Sequence, residues 1–261
     1  MLHANRRISR FWRRAVPIYL LATLLATLCD LRLPSTLHRA ESILWVIAHP
    51  DDESFFFAPA ILNLLDQTDR LGALLCLSIG DHEGRGRERV RELQASCQIL
   101  GIPSDRCVAV DAPTLQDKPD AWWPAADIQV EVETWAAIWE PDVIMTFDAY
   151  GVSGHINHRA IGAALHSWQP RQTNRTIPVY ALQSTNVLAK FTSLLLLPPL
   201  LLRRTLFADN VDGSAYFVSS FRRYRLALAS FHAHRSQARW FRTLFIYFSR
   251  YLWYVDAVRV A

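Results

Sequence analysis

The chain has 261 residues, 51% hydrophobic and 20% charged. That is enough apolar material for one large α/β domain or two small ones, and it excludes disorder as the main theme. The formal charge of +4 comes with 28 Lys+Arg, mostly Arg, gathered at the N-terminus, around Arg85 to Arg91 and toward the C-terminus; this suits anionic lipid or phosphate, and without an RNP-like, zinc-finger or basic-heptad pattern nucleic acid is not expected as a partner.

In chain order, Arg6, Arg7, Arg10, Arg13 and Arg14 precede an apolar run from Ala15 to Cys29. No small-x-small cleavage site follows, so the run reads as an uncleaved single membrane anchor rather than a signal peptide. Residues 1–40 are then basic flank, anchor and linker, and 41–261 are one domain. SILWVIAH is a continuous apolar stretch of strand length, as a strand buried on both faces requires. APAILNLLDQ predicts a helix, LGALLCLSIG a second buried strand, and GDHEGRG a polar loop. A helix follows from about Arg87 to Leu100, where Val90, Leu93, Cys97 and Leu100 share one face and Gly101 and Pro103 end it. RCVAVDA, DVIMTFDA and IPVYALQS are three further strands, separated by the helical stretches DIQVEVETWAAIWE and NHRAIGAALHSW.

This alternation predicts an α/β, Rossmann-like fold with a mostly parallel sheet flanked by helices, preceded by the anchor helix. The first strand runs into HPDDE rather than GxGxxG, so no dinucleotide is implied. Apolar segments near 191–207 and 240–255 are candidates either for a membrane interface or for core packing; Pro198 and Pro199 divide the first. Cys29, Cys76, Cys97 and Cys107 form no CxxC pair, which predicts free thiols, no structural zinc through cysteine and a reduced compartment.

The chemistry gathers at two strand ends. Strand one ends in His49-Pro50-Asp51-Asp52-Glu53, and strand four ends in FDAYGVSGHINHR, with His155 and His158 three apart. Two carboxylates about 4 Å apart repel by roughly 4 kcal/mol at an effective dielectric of 20, so a cation is expected beside them. Ligands bind outside the carboxyl ends of parallel strands, which lets both loops open on one crevice. His49, His158 and Asp52 make a three-ligand site with an open position, as in catalytic zinc, with Asp51 free to act as general base. His155 is a candidate acid or oxyanion donor on the same crevice.

With these motifs the chain resembles the PIG-L/LmbE family of zinc-dependent N-acetylglucosamine de-N-acetylases, whose signature is AHPDD(E) after the first strand and a later HxxH. LSIGDHEGRGRERVRELQASCQILGIP, TFDAYGVSGHINH and HRSQARWFRTLFIYFSRYLW are similar to the branch of that family acting in GPI-anchor biosynthesis. The resemblance implies His49, Asp52 and His158 as ligands of zinc or another divalent metal, and Asp51 as base. It also implies that His155 stabilises the oxyanion or protonates the amine, and that Arg89 lies near substrate. Glu53 matches the motif without an assigned task beyond favouring the following helix N-terminus. Soluble members often carry HPDH where this chain has His155-Ile156-Asn157-His158.

The activity so implied is hydrolysis of the acetamide of GlcNAc-phosphatidylinositol, with a membrane glycolipid and the bilayer as partners. The alternatives are deacetylation of a soluble GlcNAc conjugate, or an inactive lipid-binding subunit. The expected location is the endoplasmic reticulum membrane, single-pass. N-terminal arginines favour a luminal domain, whereas the resemblance, Arg32, Arg39 and unpaired cysteines favour a cytosolic one. Asn174, in NRT, is a glycosylation acceptor only if luminal.

Overall fold

The structure, a computed structural model, describes residues 2–28, 33–166, 168–171, 176–207 and 213–261. Cys29, Arg32 and Asn174 lie outside them. In chain order the elements are α1 (Leu2–Thr27), α2 (Ser35–Arg39), β1 (Ser42–Ile47), a π-turn (Glu53–Phe57) leading into α3 (Ala58–Leu65), β2 (Leu71–Cys76), α4 (Gly86–Leu100), β3 (Cys107–Ala109), α5 (Ala125–Trp139) and β4 (Val143–Phe147). Then come α6 (Gly151–Gly154), α7 (Ile156–Leu165), β5 (Val179–Leu182), α8 (Val187–Lys190), α9 (Leu197–Phe207), β6 (Ser214–Val218), α10 (Phe221–Ala233), α11 (Trp240–Phe248) and β7 (Tyr254–Arg259).

The sheet has seven strands in the order β3-β2-β1-β4-β5-β7-β6. β1 to β5 are parallel, with β1 paired to β2 from Ser42↔Leu71 to Ile47↔Cys76 and to β4 at Ile43↔Val143 through Trp45↔Met145. Helices α3, α4 and α10 pack together on one face, and α5 and α7 on the other. Both faces are therefore covered, and the side chains of Ile43 through Ile47 are all fully buried, as the unbroken apolar run required. Chain order reverses between β1 and β4, which leaves a crevice at their carboxyl ends.

Two features went unannounced, and two expectations, the spanning anchor and the free thiols, need correction. β6 and β7 are antiparallel additions to the sheet that the strand-helix alternation did not announce. Tyr254 and Val255, inside the segment read as 240–255, belong to β7 and are buried. The predicted anchor does form a helix of 26 residues, but among the described residues no helix is long and apolar enough to cross a membrane. The reason is length: beyond Arg14 the apolar part of α1 amounts to about 13 residues, or ~20 Å, against a hydrocarbon core of ~30 Å. Finally, Cys97 and Cys107 are joined by a disulfide with their Cα atoms 6.6 Å apart, because the buried face of α4 lies directly against the start of β3. Cys76 is the free, buried thiol among the described cysteines.

Candidate active site

β1 is buried as far as Ala48, so the chain can turn only at its carboxyl end, and it does so abruptly. Asp51 has φ 132°, a conformation unusual for a residue with a side chain. The π-turn then begins, a local widening common at functional sites. Both features aim Asp51 and Asp52 into the crevice. Asp52 Oδ2 accepts the backbone N–H groups of Ala48 (3.1 Å) and His49 (2.9 Å), which leaves Oδ1 facing His158.

The opposite wall is the loop after β4. Asp148 accepts hydrogen bonds from the backbone N–H groups of Tyr150 and Gly151 and from the N–H and hydroxyl of Ser184, fixing that loop to the end of β5. Gly151 has φ 69°, and a Cβ there would lie 2.6 Å from His158 Cβ, so glycine is needed both for the turn and for the approach of the histidine. Val152, at φ 60°, carries strain on the same turn.

The two walls bring the predicted residues together. His158 Nε2 lies 3.2 Å from Asp52 Oδ1 and 3.3 Å from His49 Nδ1, and His49 Nδ1 lies 3.8 Å from Asp52 Oδ2. Metal–ligand bonds of about 2.0–2.1 Å place tetrahedral ligand atoms roughly 3.3–3.4 Å apart, so His49, Asp52 and His158 fit a small divalent ion as they stand. The far nitrogens are held by protein: His158 Nδ1 by the Gly151 carbonyl (3.1 Å), His49 Nε2 by Asp117 (3.2 Å) and Asn157 (3.1 Å). Such outer partners set the ring orientation and tautomer of metal-binding histidines. His155 also has a nitrogen within 4.8 Å of those of His49 and His158, so a three-histidine set is a second way to hold an ion.

The charge states follow from this packing. Burial would raise the pKa of Asp52, but the His158 charge and hydrogen bond, with His49, hold it well below the usual carboxylate range. Burial works against a charged His49 as well, yet its hydrogen bond to Asp117 and the charges of Asp52, Asp117 and Asp51 outweigh it and raise its pKa. Asp117 is likewise shifted down by His49 against its burial. Burial, then repulsion from His49 and His158, pushes His155 down to about 4, so its imidazole is neutral at pH 7. Its Nδ1 accepts the Asn157 N–H at the start of α7 (3.3 Å), which leaves Nε2 carrying the proton.

Asp51 and Arg89 sit on the same cavity. Arg89, on α4 and buried, donates to the carbonyls of Gly80 and Pro50 (both 2.8 Å), lies 3.3 Å from Asp117 and is 3.5 Å from Asp51. It thus props the motif loop as well as lining the site. Glu53 has a different place from the one expected. It is fully buried, with Oε1 2.5 Å from His234 Nε2 and accepting the Ser96 hydroxyl (2.6 Å), while Oε2 accepts the Asp51 N–H (3.1 Å). Sequence reasoning also passed over Asp117 and Arg242, and it left Asn157 and His234 without a role. Asp117 follows the third parallel strand, so the strand-end rule could have found it; His234 and Arg242 reach the site from far along the chain, inside the stretch HRSQARWFRTLFIYFSRYLW, whose family resemblance assigns neither a role.

The cavity has a volume of about 740 Å³ and two unlike ends. His49, Asp51, Asp52, His155 and His158 form one; Phe191, Phe241, Leu244, Phe245 and Phe248 form the other.

Two imidazoles and a carboxylate at ion-binding spacing, backed by protein hydrogen bonds and open to a cavity, could hold a divalent ion in the manner of metal-dependent hydrolases. Residues 44–168 match the PIG-L family, described as GlcNAc-PI de-N-acetylase. The chain is 40% identical over 214 residues to the N-acetylglucosaminyl-phosphatidylinositol de-N-acetylase of Bos taurus, covering 80% of this chain and 79% of that protein. It is 33% identical over 212 residues to a probable enzyme of the same name in Schizosaccharomyces pombe, covering 81% and 84%. Its fold is similar to that of N,N'-diacetylchitobiose deacetylase from Pyrococcus horikoshii, with a TM-score of 0.59 at 16% identity over 84% of this chain and 80% of that one. The chain belongs to the PIG-L family of deacetylases.

Proposed function

We propose that the chain hydrolyses the acetamide of N-acetylglucosaminyl-phosphatidylinositol, giving glucosaminyl-phosphatidylinositol and acetate in GPI-anchor biosynthesis. The observation that carries the substrate class is the two-ended cavity, which offers an ionic end to an N-acetyl sugar and an aromatic end to lipid. A divalent ion held by His49, Asp52 and His158, zinc being the ordinary occupant of such ligands, would acidify a water and polarise the acetamide carbonyl. Asp51 takes the proton of the attacking water and returns it to the leaving amine. The neutral His155 donates its Nε2–H to the oxygen that gains charge as the carbonyl carbon becomes tetrahedral, a donor role rather than an acid role. Asp117 and Asn157 keep the His49 ring turned, and Arg89 holds the Pro50 carbonyl.

The bilayer is the proposed partner surface. Trp12, Ile18, Leu21 and Leu25 of α1, Leu202 and Leu206 of α9, and Trp240, Tyr247 and Phe248 of α11 are exposed. α1 packs against α9, the Tyr19 hydroxyl reaches the Leu195 carbonyl just before α9, and the Ser193 N–H in that same segment donates to the Phe248 carbonyl at the end of α11. An interfacial attachment beside the cavity mouth fits them. The proposed location is the endoplasmic reticulum membrane, with the domain on the cytosolic side that the family resemblance implies. The Cys97–Cys107 disulfide weighs toward the luminal side, and protease accessibility in sealed microsomes decides between the two.

The test of the activity is acetate release from GlcNAc-phosphatidylinositol compared with a water-soluble GlcNAc conjugate. Turnover confined to the glycolipid supports the reading; equal turnover of both supports the soluble-conjugate alternative.

A further inference from the structure

Resting on the glycolipid reading, we propose that Arg242 is the residue that recognises the phosphodiester of the substrate. With the acetamide beside His49 and His158 and the acyl chains against Phe241, Leu244 and Phe248, the phosphodiester anion must lie between the two ends of the cavity. Three cationic or titratable basic side chains other than the histidines of the ionic end line it: His82, Arg89 and Arg242. Arg89 is only 7% exposed, and its guanidinium is committed to two carbonyls and Asp117. His82 stands on the short exposed turn after Gly80, away from the apolar helix in sequence.

Arg242 meets each requirement that the other two miss. It lies on α11 between Phe241 and Leu244, so it shares a helix with the apolar lining. Its guanidinium carbon sits over the Phe55 ring, 5.1 Å from the centroid, which holds the group without using its N–H donors. Its polar partner among the described residues is Asp51, through Nη1 at 2.7 Å, and the side chain is 23% exposed and lines the cavity. Nε and Nη2 remain to receive a phosphodiester in the forked geometry that guanidinium groups offer such anions. One residue therefore joins recognition of the head group to the orientation of Asp51.

The experiment compares kcat/KM on N-acetylglucosaminyl-inositol with and without a glycerophosphate group, for wild type, Arg242→Gln and Arg242→Lys, with Tm measured to establish folding. Loss of the Asp51 contact slows both substrates alike, so the ratio between them isolates the phosphodiester. The expected result is a wild-type preference for the phosphorylated compound that falls by about ten- to a hundredfold in Arg242→Gln, as loss of a hydrogen bond to a charged group predicts, and is partly kept in Arg242→Lys. A ratio unchanged in Arg242→Gln, or no wild-type preference, overturns the assignment. Wild-type turnover of neither compound, nor of the intact glycolipid, instead removes the substrate reading on which it rests.

Discussion

Glu53 and His234 form a buried ion pair behind the strained Asp51, and their position makes the motif loop sensitive to single atoms. Removing one partner of such a pair leaves the other buried without compensation, so Glu53→Gln is expected to lose about 3–5 kcal/mol in urea unfolding. The His234 pKa is raised, since the Glu53 charge and hydrogen bond outweigh burial. A value above the unfolded one means that this contribution is complete below about pH 6.5 and disappears as pH rises through the folded value. The stability difference between wild type and His234→Gln should accordingly be larger at about pH 6 than at about pH 9; the opposite trend would contradict the pairing. Asp51→Asn is expected to keep its bound metal while losing roughly 10²–10⁴ in kcat, which metal analysis and acetate release check together. Of these residues, His49, Asp51, Asp52 and His158 were legible because they stand in two short motifs at strand ends. The tie from Glu53 to His234 was not, because it spans 181 positions and joins a strand end to the end of a helix.

At the level of elements, the parallel strands announced themselves through unbroken apolar runs, which only a sheet covered on both faces demands. β6 and β7 lack that signature: burial along them alternates or is interrupted, and Asp256 breaks the apolar run of β7. They were hidden further by aromatic residues that suit a membrane interface equally well. The 240–255 segment is itself divided, since Trp240 is 78% exposed while Tyr251 and Leu252 are fully buried. The loop from Asp148 to His158 depends on Gly151, where alanine would meet His158 and would also have to adopt a positive φ. Gly151→Ala is therefore expected to weaken metal binding by about tenfold or more, in the range seen when a partner that orients a ligand is lost. Retention of wild-type metal affinity in a competitive chelator titration would show that the turn has room the geometry denies it.

For the molecule as a whole, one cavity lined by both ionic and apolar side chains is what the proposed reading uses to join lipid recognition to amide hydrolysis in a single domain. Leu244→Asp combined with Phe248→Asp should reduce partition onto anionic vesicles by about tenfold or more, and undiminished binding would remove α11 from the bilayer-facing surface. Overall architecture was readable from the strand-helix rhythm, whereas the Cys97–Cys107 bridge was not, because no spacing rule singles out that pair before α4 is laid against β3. Among the described residues no helix is long and apolar enough to span a membrane, and the shortness of the apolar run from Ala15 to Cys29 was already legible in the sequence. On the proposed reading, the His49, Asp52 and His158 cluster carries metal-dependent deacetylation of the glycolipid. The most direct test of that reading is acetate release from GlcNAc-phosphatidylinositol by the purified full chain before chelation, after chelation and after metal is restored, with Asp52→Ala alongside. Activity that is lost on chelation, returns with stoichiometric divalent metal and is absent in Asp52→Ala is the predicted result; acetate release that persists through chelation or survives in Asp52→Ala would contradict it.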